Sequence, residues 1–500
     1  MISPLRLFPI VGTFILSLSL PASVCAQTIH LEAESATLSG PSLKVQPAPS
    51  RGPLSDTAPL SVGYSGTGYV TGFEQPSDHL LFRFKAKHPG FYSLAVTYRA
   101  TDKKGYDITV NDVGVSGMFP ATPGSHFETA QTGKVELATG ENEITINRGW
   151  GHFDIDYIEL TAVPPPIPPP TPTAEPSDHQ VSPEARALLS QLDAAYGKST
   201  SLGVYSDQDA DYALTTTGRR PAIMGGDLLR FSSSFAAHET TKADDVARLI
   251  ADYQAGYTVT LCWHWLSPTG LMDTKDKPWW RGFYTDSTNF DASRAVDPTT
   301  PEHAAAIADI DIIAAQLRRL QDARIPVLWR PLHEAQGGWF WWGAKGPVAF
   351  KQLWAMLYDR LVNVDGIHNL IWVYTSGDDL NWYPGDAFVD VIGVDEYPSN
   401  IHDPESGMWD LLQKQFAGRR PLAIAEFGGV PDIPLMQRYG EFWSYAVSWT
   451  KDLGPMKNTP AELTRIYSSP GTTTLPPLPT PPAAPAPSAP AEMPTTPQSP

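Results

Sequence analysis

The chain has 500 residues and a formal charge of −18, from 36 basic and 54 acidic side chains; with no Lys/Arg cluster, this argues against nucleic acid or an anionic membrane surface as a partner. At 42% hydrophobic and 18% charged, it is too apolar for a disordered protein and long enough for two or three domains. Two cysteines, Cys25 and Cys262, exclude a disulfide framework. Aromatic residues make up 11% of the chain, a bias that suits flat faces meeting sugar rings as well as core packing.

Residues 1–26 open with a lone Arg6, continue through an apolar run and close on Val24-Cys25-Ala26. That pattern predicts a secretory signal cleaved after Ala26. The run is shorter than the roughly 18 residues of a membrane span and is broken by Pro9 and Gly12. A soluble, secreted, extracellular product is expected. Proline then divides the chain, with 8 of 49 between Pro164 and Pro176 and 12 more between Pro470 and Pro500. Residues 164–180 read as a semi-rigid polyproline linker that extends the reach of one domain from the other, and 476–500 as a disordered tail.

Residues 27–163 read as an all-β sandwich, jelly-roll-like. Leu80, Phe82, Phe84 and Ala86 alternate with Leu81, Arg83, Lys85 and Lys87, and Tyr92, Leu94, Val96 and Tyr98 keep the same period. Further strands are expected at 29–35, 106–110, 134–138, 143–147 and 153–160. Glu32 and Glu34 share a face of the first strand, and Asp156 shares the core-side face with Ile158 and Leu160 on the last. First and last strands commonly pair, so the three carboxylates are a candidate structural Ca²⁺ site; two surface acids and one odd strand residue are the alternative. No cofactor is expected for catalysis.

Residues 181–475 alternate short β-rich runs with helices, the pattern of a parallel sheet covered by helices. One helix is marked by Thr300, Pro301 and the stripe Ile310, Ile313, Leu317, Leu320; another starts at Pro347. Eight strand candidates, at 202–205, 222–225, 258–263, 326–332, 370–374, 389–394, 422–425 and 444–449, predict a (β/α)8 TIM barrel. No glycine-rich phosphate loop follows any strand, which disfavours an open nucleotide-binding sheet.

Catalytic groups of such a barrel project from the carboxyl ends of its strands. Those ends carry His264, His333 with Glu334, Asp395 with Tyr397, Glu426, and Trp449. Glu334 after strand 4 and Glu426 after strand 7 face one another across the mouth, and glycosidic bond cleavage needs two carboxyl groups. His-x-His pairs and a Gly-x-Ser-x-Gly elbow, which metal or acyl chemistry would use, are missing from the sequence. Arg330 is a candidate partner of Glu426 or a structural ion pair. His264 and His333 belong either to the sugar-binding shell or to the core. In Trp339-Phe340-Trp341-Trp342, Trp339 is the expected sugar platform and the others pack beneath it. Trp279, Trp280 and Tyr284 are subsite walls or plain packing, Trp449 floors the crevice or caps the core, and Cys262 is an inert core thiol.

The segments Trp-Arg-Pro-Leu-His-Glu at 329–334, Trp-His-Trp at 263–265, Trp382-Tyr383-Pro384-Gly385-Asp386 and Ala-Glu-Phe-Gly at 425–428 resemble glycoside hydrolase family 26 over about residues 183–475. The resemblance implies a retaining endo-β-1,4-mannanase, with Glu334 as acid/base, Glu426 as nucleophile and Tyr397 as a hydrogen-bond donor to Glu426. Retention requires the two carboxyl groups roughly 5 to 5.5 Å apart. Glu-Ala-Glu at 32–34, Tyr-Ser-Gly-Thr-Gly-Tyr-Val at 64–70 and Asn147-Arg148-Gly149-Trp150-Gly151 resemble carbohydrate-binding module family 35, which implies Trp150 as a stacking residue and Asn147 as a hydrogen-bonding one. The expectation is a monomer acting on mannan-type polysaccharide. Mixed-linkage β-glucanase, β-1,3-xylanase and a catalytically silent polysaccharide-binding protein are the rivals.

Overall fold

The computed structural model describes residues 27–47, 63–124, 126–173, 175–239, 244–375 and 379–478. The expected signal at 1–26 and the tail from 479 onward lie outside the described residues. None of the described helices is long and apolar enough to cross a membrane.

Two antiparallel sheets form the N-terminal sandwich. One runs in the order Lys44–Pro47, Gly68–Thr71, Asp154–Ala162, Gly90–Arg99, Glu128–Leu137, with Thr28–Glu32 also paired to Asp154–Ala162; the other runs Thr37–Ser39, His79–Ala86, Gly140–Asn147, Lys104–Val110, Val113–Phe119. Leu80, Phe82, Phe84 and Ala86 are buried between them, with Arg83 and Lys85 outside. The first strand stops at Glu32, and a 3-10 turn takes over at Ala33–Ser35. Three short strands, Thr37–Ser39, Lys44–Pro47 and Gly68–Thr71, and the longer Val113–Phe119 carry no alternation that marks them in the sequence.

The second domain is a closed parallel barrel. Its strands are β1 Thr200–Val204, β2 Ile223–Asp227, β3 Thr258–Cys262, β4 Val327–Arg330, β5 Leu370–Thr375, β6 Val391–Glu396, β7 Leu422–Phe427 and β8 Tyr445–Ser448, and β1 pairs with both β2 and β8. All eight expected strands are present. Helix Pro301–Asp322 starts where Thr300 accepts a hydrogen bond from the His303 amide, and buries Ile310, Ile313, Leu317 and Leu320. Helix Pro183–Ala195 contributes Leu188, Leu189 and Leu192 to one cluster with the strand residues Leu328, Val373, Val391 and Tyr445.

The linker is docked, which corrects the expectation of a spacer that extends reach. Pro166 lies so close to Gly440 that a Cβ there would sit 2.4 Å from it, and Pro168 and Pro169 flank Gly197. Further on, Thr173 bonds to the Gly418 carbonyl, the Ser177 amide donates to Asp390 at 2.6 Å, and Arg420 donates to the Glu175 carbonyl. Polyproline backbone makes no internal hydrogen bonds, so its carbonyls and ring faces are available to a surface with shallow, glycine-lined loops.

The sandwich is fastened directly to helix Ser406–Phe416 and the loop before it. The Ser116 amide and hydroxyl both donate to Asp403 at 2.6 Å; the Ser406 hydroxyl accepts from the Lys134 amide and donates to its carbonyl; Lys134 also pairs with Asp410. A Cβ on Gly407 would lie 2.4 Å from the Thr132 carbonyl oxygen, so the glycine permits the two backbones to touch.

Candidate active site

Strand β4 ends at Arg330, and Pro331-Leu332-His333-Glu334 turns sharply out of it. Leu332 and Glu334 both take left-handed backbone conformations, at φ 51° and 53°, which costs of order 1–3 kcal/mol each in non-glycine residues and persists only under external restraint. The restraint is a Glu334 amide bond to the Thr375 carbonyl at the end of β5 and a Trp342 indole bond to the His333 carbonyl at 2.8 Å. Glu334 is thereby aimed into a cavity of about 780 Å³. Its carboxylate accepts a 2.8 Å hydrogen bond from the Trp339 indole. Burial first, and then the charge of Glu426, hold the Glu334 carboxyl above its ordinary value.

Glu426 reaches the mouth through an irregularity. Along β7, Ala423 and Ala425 face the barrel interior while Leu422 and Ile424 face the helices; strict alternation would turn Glu426 outward. The pairing of β7 with both β6 and β8 shifts register there, and the bulge re-aims the side chain. Glu426 is 5% exposed. One oxygen accepts from Arg330 at 2.5 Å and the other from the Tyr397 hydroxyl. Arg330, 0% exposed, also donates to Asp395 at 2.6 Å and to the Tyr205 hydroxyl at 3.1 Å. Both readings of Arg330 therefore hold at once: it is a buried ion pair and it touches Glu426.

His264, after β3, bonds through Nδ1 to Asp227 at 2.7 Å and through Nε2 to His333 Nε2 at 3.2 Å. Burial pushes His264 down, but the charge and hydrogen bond of Asp227 outweigh it and leave the imidazole above its ordinary value. His333 is driven well below its ordinary value by burial, Arg330 and His264. A proton on His264 Nε2 donated toward a neutral His333 agrees with both directions, and leaves the buried Nδ1 of His333 without a hydrogen-bond partner. Cys262 is buried, with burial and the Asp227 charge pushing its thiol well up, so it stays protonated as an inert core group.

The aromatic run after Glu334 divides as expected. Trp339 is 50% exposed, whereas Phe340, Trp341 and Trp342 are buried. A Cβ on Gly337 would lie 2.0 Å from the Trp339 ring, so glycine is required for the indole to lie back onto Glu334. Trp449 is half-buried against Tyr205 and 6.1 Å from the His264 ring. Trp279 stacks on His238 and Tyr284 on Phe340, while Trp280 is 52% exposed. The residues that sequence reasoning passed over are Asp227 and Tyr205. Asp227 ends β2, so reading every strand end would have found it.

Residues 178–475 match the family model "Glycosyl hydrolase family 26". The chain belongs to this family. It is a glycoside hydrolase, and Glu334 and Glu426 occupy the ends of β4 and β7 in a family 26 barrel. A mannan endo-1,4-beta-mannosidase of Thermothelomyces thermophilus is 39% identical over 448 residues, 89% of either chain. The crystal structure of a Podospora anserina GH26-CBM35 beta-(1,4)-mannanase is similar at TM-score 0.62 and 36% identity, covering 89% of this chain and 97% of that one. A beta-mannanase from a symbiotic protist of the termite Reticulitermes speratus, solved with a gluco-manno-oligosaccharide, gives TM-score 0.55 and 31% identity over 61% of this chain and 97% of that one.

In this family 26 protein the sandwich, residues 29–163, matches the model "Carbohydrate binding module (family 35)". Trp150 is 60% exposed, its indole lying across Gly105. Asn147 ends its strand opposite His79 and Asp107. The three carboxylates Glu32, Glu34 and Asp156 do come together, around the loop 65–67. Ser65 donates to Asp156 and Glu32, and Thr67 donates to Glu34. Asp156 is fully buried, and burial, then Glu32 and Glu34, push its carboxyl up to about 6.

Proposed function

We propose that the chain is an exported, endo-acting β-1,4-mannanase that hydrolyses internal bonds of mannan, galactomannan or glucomannan with retention at the anomeric carbon. The observation that carries this reading is the pair of carboxyl groups at the ends of β4 and β7, in contrasting surroundings and close enough for one charge to shift the other. Pairs of titratable groups whose surroundings differ in this way mark acid and base roles. Glu426, held by Arg330 and Tyr397, attacks the anomeric carbon, while Glu334 donates its proton to the departing glycosidic oxygen. The sugar is left bonded to Glu426. Glu334, now ionised, takes a proton from water, and that water releases the sugar and frees Glu426. The similarity to proteins named as mannan endo-1,4-beta-mannosidases supports the substrate class.

His264 and Trp449 flank the position of the sugar under attack, with His333 buried behind His264; Tyr397 sits between that sugar and the leaving-group side, where Trp339 stacks. Products released from galactomannan, mixed-linkage glucan and β-1,3-xylan test the specificity: oligosaccharides from galactomannan are expected, and release from the glucan alone would overturn it. The silent-binder rival is tested by Glu426→Ala, which should keep adhesion to insoluble mannan while sugar release falls by about 10⁴-fold or more.

In the sandwich, Glu32, Glu34 and Asp156 gather around the loop 65–67, and Glu34 Oε2 is buried with no hydrogen-bond partner, but their oxygens bond to Ser65 and Thr67 and are not drawn in to ligand spacing; a hard cation would have to pull the three together. They would then hold a Ca²⁺ that supplies charge balance where the first and last strands meet. The metal takes no part in bond cleavage.

A further inference from the structure

The cavity into which Glu334 points is not walled by the barrel alone. Its lining joins Glu334, Trp339 and Tyr397 on the barrel to Tyr106, Met118 and Trp150 on the sandwich. A volume of about 780 Å³ is in the range of ligand sites rather than packing defects. The seam holding the two walls is built from paired backbone and charged contacts between Ser116 and Asp403 and between Lys134 and Ser406, so the second wall has a fixed position. Under the seam, Glu405 lines the same cavity, is 4% exposed, and leaves Oε1 with no hydrogen-bond partner. A buried acceptor without a partner is costly unless a ligand satisfies it, and a sugar hydroxyl would.

Which half of the substrate lies here follows from the chemistry. An acid/base group stands beside the departing oxygen, and this cavity is lined by Glu334 but by neither His264 nor Trp449. We propose that the leaving-group half of a β-1,4-linked hexose chain runs out of the barrel along the sandwich, so that Met118, Glu405 and Trp150 form outer subsites of the cleavage site itself. This rests on the assignment of Glu334 as acid/base. It makes the sandwich part of the catalytic groove rather than a separate adhesive module. Contacts made far from the reacting bond are used to stabilise the transition state, so substrates too short to reach them lose kcat as well as affinity.

The full-length chain carrying Trp150→Ala is compared with the parent on mannohexaose and mannotriose. The expected result is that the ratio of kcat/KM for the hexamer over the trimer falls about tenfold, with cleavage positions in the hexamer, mapped by ¹⁸O labelling, moving toward the reducing end. A ratio within twofold of the parent and an unmoved cleavage map, with only adhesion to insoluble mannan lost, would overturn the proposal. If the parent releases nothing from either oligosaccharide, the functional reading itself fails, which is a different outcome. A second measurement needs no change to the sandwich: in the Glu426→Ala chain, mannohexaose should slow peroxide oxidation of Met118 several-fold while mannobiose does not. Equal oxidation rates with and without the hexamer would likewise contradict it.

Discussion

At the residue scale, the site is made by departures from regular strand geometry: left-handed backbone at Leu332 and Glu334 after β4, and a bulge in β7 that turns Glu426 into the mouth. Glu334 and Glu426 could be picked out because acids are rare at the buried end of an apolar strand. What could not be read was that a bulge, rather than alternation, turns Glu426 inward, nor that Trp339 would bond to Glu334 through its indole. Composition treats the four aromatics at 339–342 alike. Burial separates them, since truncating Trp341 or Trp342 in the core should cost about 3–5 kcal/mol, whereas half-exposed Trp339 contributes to the site instead. The Trp339 hydrogen bond favours the ionised form of Glu334. Trp339→Phe should therefore raise the Glu334 pKa further. Because the acid must be protonated to act, the alkaline limb of the kcat/KM profile should move to higher pH; a limb that stays or moves down would contradict the assignment.

At the element scale, periodicity located all eight barrel strands because each is an apolar run bounded by polar loops, and each is buried on both faces. It failed on short edge strands such as Lys44–Pro47, whose four residues are all exposed and so carry no alternation to read. The pairing of Thr28–Glu32 with Asp154–Ala162 was anticipated, and it brings Glu32, Glu34 and Asp156 together around Ser65 and Thr67. If Ca²⁺ neutralises these carboxylates, its removal leaves like charges crowded at the strand ends, and binding free energy is lost from the folded state. Treatment with EDTA should lower the Tm of the sandwich transition by about 5 °C, with recovery on adding Ca²⁺. A Glu34→Gln, Asp156→Asn chain should not respond to the metal, and an unchanged Tm in the parent would remove the site.

At the scale of the whole molecule, the proline content located the domain boundary but not the domain arrangement. A polyproline segment reads as a spacer because its sequence carries little apolar surface; that it lies in the loops around Gly197, Gly418 and Gly440 depends on surfaces far away in the chain. The seam between the domains also buries Glu441, whose two carboxylate oxygens have no hydrogen-bond partner and whose nearest cation, Lys134, is 4.0 Å away. Burial pushes its carboxyl well up, with Asp410 and Asp403 adding to the effect and Lys134 opposing it. The folded state then holds this proton more tightly than the unfolded one, so the stability it contributes is full below the ordinary glutamate range, around pH 4.3, and is lost as pH rises through the folded value. Glu441→Gln should raise the Tm at pH 8 and leave it nearly unchanged at pH 4; equal shifts at both would contradict this reading. The double displacement requires Glu426 to become bonded to sugar. Incubating the protein with a 2-deoxy-2-fluoro-mannoside bearing an activated leaving group, followed by peptide mass spectrometry, should find one fluorosugar on Glu426; a label on any other residue, or inactivation with no covalent sugar, would contradict the mechanism.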